Sequence, residues 1–217
     1  MSVQLGVRID YGKRFLHSMK DTRMPALDSE HLIFRYSCEY RGVPGPDHDP
    51  AGYPMDWTVS VRGAASGDKD GADGDDVHVG EANFRIIPDA GTIHLLDSMD
   101  VVDQEMMLLA EMLFHERPDL MHSAGMDLGG DLLLLSSMTV EPKFRGNRIG
   151  HTILKAILGT VARNTALVML EAVPPLAEET PEEGSPEHVA ATAALRRYWM
   201  DFGFEEAAGD YLYLEAA

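Results

Sequence analysis

The sequence has 217 residues, with 18 Lys and Arg against 36 Asp and Glu, for a formal net charge of −18. That balance excludes nonspecific binding to a nucleic-acid backbone, which needs a basic face, and disfavours anionic membrane surfaces. A hydrophobic share of 45% suffices for a sizeable core. The lone Cys38 excludes an internal disulfide framework and a multi-Cys zinc site.

No apolar run reaches the ~20 residues of a membrane span. Met1 to Lys20 lacks the apolar core of a signal peptide. The expected location is therefore cytoplasmic. Residues 1–30 have no clear period and are expected to form an arm or irregular segment. His31 to Tyr40 is predicted to be a strand, Arg41 to Pro54 a loop broken by Gly and Pro, and Trp57 to Arg62 a strand alternating at period two. Gly63 to Asp76 reads as a mobile loop. Val77 to Pro88 reads as a further strand, with a bulge near Gly80 where the apolar alternation breaks.

Asp100 to Glu116 is predicted to be a helix, with Asp100 as N-cap and Val102, Met106, Leu109 and Leu113 as its apolar stripe. Pro118 ends it, and Leu120 to Gly130 is a glycine-containing connection. Leu132 to Val140 is apolar on both faces and should be a central strand. Asn147 to Arg163 is predicted to be helical and Ala166 to Val173 a short buried strand. Pro174 to Ser185 is an acidic linker. Ser185-Pro186-Glu187 starts a helix that Gly203 closes. Two short strands, Phe204 to Glu206 and Tyr211 to Glu215, follow. The expected class is α/β or α+β with a mixed sheet, including a β-α-β crossover after Leu132.

Chemistry concentrates between the central strand and the next helix, in Val140-Glu-Pro-Lys-Phe-Arg-Gly-Asn-Arg-Ile-Gly150. A helix N-terminus offers free N–H groups and the positive end of a dipole, which suits an anion and phosphate above all. Gly146 and Gly150 permit close approach of a ligand. Lys143, Arg145 and Arg148 put positive charge on an otherwise acidic chain.

These residues resemble the GNAT superfamily of acyl-CoA-dependent N-acyltransferases. The pyrophosphate turn of that family reads Q/R-x-x-G-x-G/A after V-x-P and an aromatic residue. Val140, Pro142, Phe144, Arg145 and Gly150 match, and Arg148 replaces the middle glycine. A first-turn helical residue at negative φ need not be glycine. The family's later signature, A-x-x-L-Y-x-x-x-G-F, is met by Gly203-Phe204, with Trp199 at the tyrosine position and Tyr198 beside it. The resemblance covers about residues 132–215. In the family two helices follow the first strand, whereas here the clear early helix precedes the central strand.

The resemblance implies a single acyltransferase domain over 31–217. Its twisted sheet is mixed but mostly antiparallel, with helices on both faces and splayed central strands. It implies transfer of an acetyl group from acetyl-CoA to a small-molecule or peptide amine by direct attack in a ternary complex. No metal, nucleic acid or membrane takes part, and a homodimer is one option for the assembly. The pantetheine arm would lie between the splayed strands, bonded by the backbone around Met138, Thr139 and Val140. The amides of Arg145, Gly146, Asn147, Arg148, Ile149 and Gly150 would hold the diphosphate. His151 lies beside that turn, although an exposed histidine is the plainer reading, and Trp199 could wall the cleft.

An ammonium acceptor must lose a proton before attack. Glu171 is the first candidate base, against the plain reading of a solvated carboxylate, and Glu81 is the second. Tyr198 is the candidate acid for the leaving thiolate, against simple packing. Ser136 and Ser137 interrupt the leucine strand and could face the acceptor. A backbone N–H near Val140 could stabilise the oxyanion. Asp68 to Val79 resembles a calcium loop but lacks its sixth-position Gly and twelfth-position Glu. Two other readings compete. One is a degenerate acyl-CoA-binding sensor without turnover, favoured by Trp199 and Arg148. The other, a dinucleotide-dependent oxidoreductase, lacks its glycine-rich turn after an early strand.

Overall fold

The computed structural model describes residues 31–39, 54–63, 76–91, 104–174 and 182–216. The expected N-terminal arm, the Asp100 cap, Val102 and the Asp68–Asp75 part of the calcium-like loop lie outside these residues. So do most of the loop after Tyr40 and the middle of the acidic linker.

Seven strands form one sheet: β1 (Leu32–Glu39), β2 (Met55–Gly63), β3 (Val77–Ile87), β4 (Asp131–Val140), β5 (Thr165–Glu171), β6 (Glu205–Glu206) and β7 (Tyr211–Glu215). Their order is β1-β2-β3-β4-β5-β7-β6. Every pairing is antiparallel except that of β4 with β5. That parallel pair requires a crossover, which α3 (Ile149–Gly159) supplies. The fold is thus mixed α/β around a mostly antiparallel sheet.

Helices cover both faces. On one face α3 and α4 (Pro186–Met200) pack Ile149, Ile153, Leu154, Ile157, Leu195 and Trp199 against Leu133, Leu135, Val168 and Leu170. On the other face α1 (Gln104–Glu111) and the segment after it set Met106, Leu109 and Leu113 against Leu132, Leu134, Leu167 and Met169. All four leucines from Leu132 to Leu135 are buried because each sheet face has its own cover. Each contributes roughly 1.5–3 kcal/mol of burial free energy.

Two local features differ from the sequence expectations and one agrees. The first helix leaves α geometry at Met112 and finishes as a π-helical turn to Glu116. The expected connection contains a helix, α2 (Pro118–Ser123), for which Pro118 is the opening residue rather than a mere terminator. Arg117 fastens this corner by pairing with Asp119 at 2.8 Å and donating to the carbonyls of Glu206 and Ala207. The predicted bulge is present: Val61 pairs with Gly80 but Arg62 pairs with His78, which leaves Val79 as the extra residue.

Candidate active site

The pairing of β4 with β5 stops at a defined step, and the open side of β4 beyond it is termed the fork. The last paired residues are Leu135 and Leu170, one residue before β5 ends at Glu171, whereas β4 continues to Val140 alongside β3. A strand flanked on one side directs alternate N–H and C=O groups into the open side. The fork coincides with a bulge in β4. Asn83 pairs with Ser137 and Phe84 with Leu135, so Ser136 is the inserted residue.

Beyond Val140 the chain makes one 3-10 turn, Pro142–Phe144, and then reverses into α3. Gly146 has φ +86° and Arg148 has φ +54°. Arg148 is the residue that caps α3 and is left-handed. Negative φ therefore does not explain the absence of glycine there. A non-glycine residue in this conformation is strained by roughly 1–2 kcal/mol. Arg148→Gly should accordingly stabilise the chain by up to about 1 kcal/mol, read as a higher urea midpoint at unchanged slope. Its guanidinium lies 3.7 Å from Asp201, an exposed pair of little weight.

The Thr152 amide donates to the Arg148 carbonyl and the His151 amide to the Tyr198 hydroxyl at 3.1 Å. The amides ahead of them, from Gly146 to Gly150, have no partner among the described residues. Unpartnered amides at the start of a helix are the groups that can hold an anion. Asn147 and Arg148 are exposed there, and Lys143 lies over the Phe144 ring. Arg145 donates from Nε to the Val140 carbonyl at 2.9 Å. That bond takes one of the two lone pairs of the carbonyl. Met138 is buried on the α3 side of β4, Thr139 is half-buried opposite Glu81, and Glu81 is exposed.

The aromatic candidates separate. Tyr198 is half-buried on α4. A Cβ on Gly150 would meet its hydroxyl at 2.6 Å and the Met138 sulfur at 3.1 Å. The hydroxyl therefore stands at the start of α3, beside β4 just beyond the fork. Trp199 is 0% exposed, with Phe204 at 5.6 Å and His151 at 5.9 Å between ring centres. It presents no surface to a ligand, which corrects the expectation that it walls a cleft. His151 also departs from the solvated state, being 6% exposed. Its Nε2 lies 2.9 Å from the Tyr198 carbonyl. A carbonyl only accepts, so Nε2 carries the hydrogen. Burial, helped by Arg148 and Lys155 and opposed by the Tyr198 carbonyl and Asp201, lowers the imidazole pKa and favours the neutral ring.

The opposite face of the fork is polar. Thr58, Asn83 and Ser137 form a hydrogen-bonded row across β2, β3 and β4, with both links at 2.9 Å. Asp56, Arg85 and Glu105 form a second row, with contacts of 2.8 and 3.1 Å. Ser136 Oγ joins it by donating to Glu105 at 3.2 Å. Ser136 and Ser137 thus lie on this face, and each already has a protein partner. Glu171 is the residue after Leu170. It is half-buried, paired with Tyr211 of β7 on one side and next to the fork on the other, and is not a solvated carboxylate. Burial first, then Asp210 and Glu105, push its pKa up to about 7. Tyr211 beside it is raised by burial, then by Glu171 and Glu105.

Sequence reasoning missed Asp56, Arg85, Glu105 and Tyr211. The usable signal was that Asp56, Arg85 and Glu171 break apolar runs at positions facing one side of the sheet. Among the described residues no group of three or more His, Cys, Asp or Glu could hold a metal, and no helix is long and apolar enough to cross a membrane. No family model, no curated protein and no solved structure matches the chain.

Proposed function

We propose that the chain is an acyl-CoA-dependent N-acyltransferase acting on an amine, with acetyl-CoA as its donor. The observation that carries this reading is the fork between the parallel strands β4 and β5. It opens beside a helix-capping turn whose five amides from Gly146 to Gly150 have no partner among the described residues. The mixed, mostly antiparallel sheet and the residue pattern from Val140 to Gly150 support this reading.

In this reading the diphosphate rests on the turn and the pantetheine arm extends the sheet inside the fork, bonded by the open side of β4. The thioester then lies between the two chemically distinct faces. Glu171 on the α1 face takes a proton from the acceptor ammonium, directly or through water. A carboxylate near pH 7 is matched to that task. The amine attacks the thioester carbon, and a β4 amide turned into the fork stabilises the oxyanion. As the C–S bond breaks, the nitrogen releases its second proton to water, Tyr198 on the α3 face protonates the departing thiolate, and the tyrosinate regains a proton from water.

Titration calorimetry with acetyl-CoA, followed by a thiol-release assay over a panel of primary amines, tests the proposal. Donor uptake with amine-dependent thiol release is expected. Uptake without release on any amine would favour the sensor reading, and no uptake would remove both. Tyr198→Phe should lower kcat by about tenfold or more with donor affinity within twofold. An unchanged kcat would take Tyr198 out of the acid role.

A further inference from the structure

Glu105 is a carboxylate on the polar face that the proposed chemistry does not use. Its side chain is only 9% exposed. A carboxylate so placed needs compensation, and Arg85 gives it at 3.1 Å. Arg85 is shared, however, since its Nε holds Asp56 at 2.8 Å. One guanidinium thus ties together two carboxylates, from β2 and from α1.

The Glu105 oxygen that meets Arg85 also accepts from Ser136 Oγ. Ser136 is the bulged residue where β4 leaves β5. Glu105 therefore grips, from α1, the residue at which the fork begins. Glu171 stands across that gap on the same face.

We propose that Glu105 is a positioning residue for the acceptor half of the reaction: it fixes the bulged Ser136 at the mouth of the fork and faces Glu171 across it as a fixed negative charge. This inference rests on the acyltransfer reading for its functional meaning. Glu171 is faced by Asp210 from the turn before β7, by Tyr211 from β7 and by Glu105 from α1. Glu105 is faced by Arg85 from β3, with Asp56 from β2 behind it, and by Ser136 and Tyr211. Burial raises the proton affinity of Glu171 the most, Asp210 comes next, and Glu105 adds to both.

Glu105→Gln keeps the size and an acceptor oxygen but removes the charge. Carbon-13 NMR of the Glu171 carboxyl in the full chain, without substrate, reads the coupling directly. The Glu171 midpoint should fall by about half a pH unit in Glu105→Gln. The pH–rate midpoint should fall with it, while acetyl-CoA affinity stays within twofold. Glu105→Asp, which keeps the charge, should hold the midpoint closer to wild type. Ser136→Ala removes the hydroxyl but no charge, so it should leave the midpoint unmoved and lower turnover by about threefold or more.

An unshifted Glu171 midpoint in Glu105→Gln would overturn the inference. If that variant does not fold, wild-type turnover in Ser136→Ala would overturn it. Failure of acetyl-CoA to bind would instead remove the acyltransfer reading, because the NMR titration needs no donor.

Discussion

Asn147→Glu should lower acetyl-CoA affinity by about tenfold to hundredfold, or roughly 1.4–2.8 kcal/mol, without lowering the stability of the fold. The two effects have opposite origins. Asn147 is exposed immediately before the residue that caps α3. A carboxylate at the positive end of a helix is favourable to the helix by a few tenths of a kcal/mol. The same carboxylate repels a diphosphate resting on the adjacent amides. Asn147→Lys should do the reverse and bind the donor at least as tightly as wild type. Calorimetry for affinity and thermal unfolding for stability separate these terms. Equal donor affinity in all three proteins would place the diphosphate elsewhere. Gly150→Glu is a poorer probe, because a side chain there would displace the Tyr198 hydroxyl.

Glu171→Gln should lower kcat by about 10²–10³-fold, the range expected when a general base is removed. It should also abolish the ionisation near pH 7 that limits the wild-type rate on its acidic side. Stability should move the opposite way. The Glu171 pKa is raised in the folded protein from an ordinary value of 4.5 to about 7. Between those values the folded state holds more proton than the unfolded state, so stability falls as pH rises through that window. Above it the folded chain carries the full cost of a half-buried charge. Glu171→Gln should therefore melt above wild type at pH 8 and beside it at pH 4. Lost activity with gained alkaline stability is the signature of a group held in its site for chemistry. A variant that melts below wild type at pH 8 would mark Glu171 as a structural ion instead.

The parts of this architecture that were legible in the sequence are those fixed by short-range patterns. The leucines from Leu132 to Leu135 announce a strand buried on both faces, and that strand lies in the middle of the sheet. Ser185 and Pro186 announce a helix start, and Ser185 Oγ accepts the His188 amide at 3.2 Å. The broken alternation at Val79 announces a bulge, and one is there.

What was not legible depends on partners far apart in sequence. A strand that leaves its neighbour carries the same residues as one that stays, so nothing in Ser136 to Val140 marks the fork. A π-helical turn at Met112–Glu116 has no periodicity of its own that so short a segment could display. Glu105 reads as an acid in the first turn of a helix, which is where helices favour one. Only the fold brings it to Arg85 and Ser136. Trp199 reads as a cleft wall because it falls at the tyrosine position of the resembling motif, and His151 as a ligand contact or a solvated ring because it follows the turn in sequence. The helical turn instead points both into the layer between α3, α4 and the sheet.

The most direct measurement is an amide NMR titration of the full chain with acetyl-CoA. The account predicts that the largest shifts fall on Gly146 to Gly150 and on Ser136 to Val140, with Glu81 and the β6–β7 hairpin nearly unmoved. Saturable shifts confined to any other part of the sheet, or none at millimolar acetyl-CoA, would contradict it.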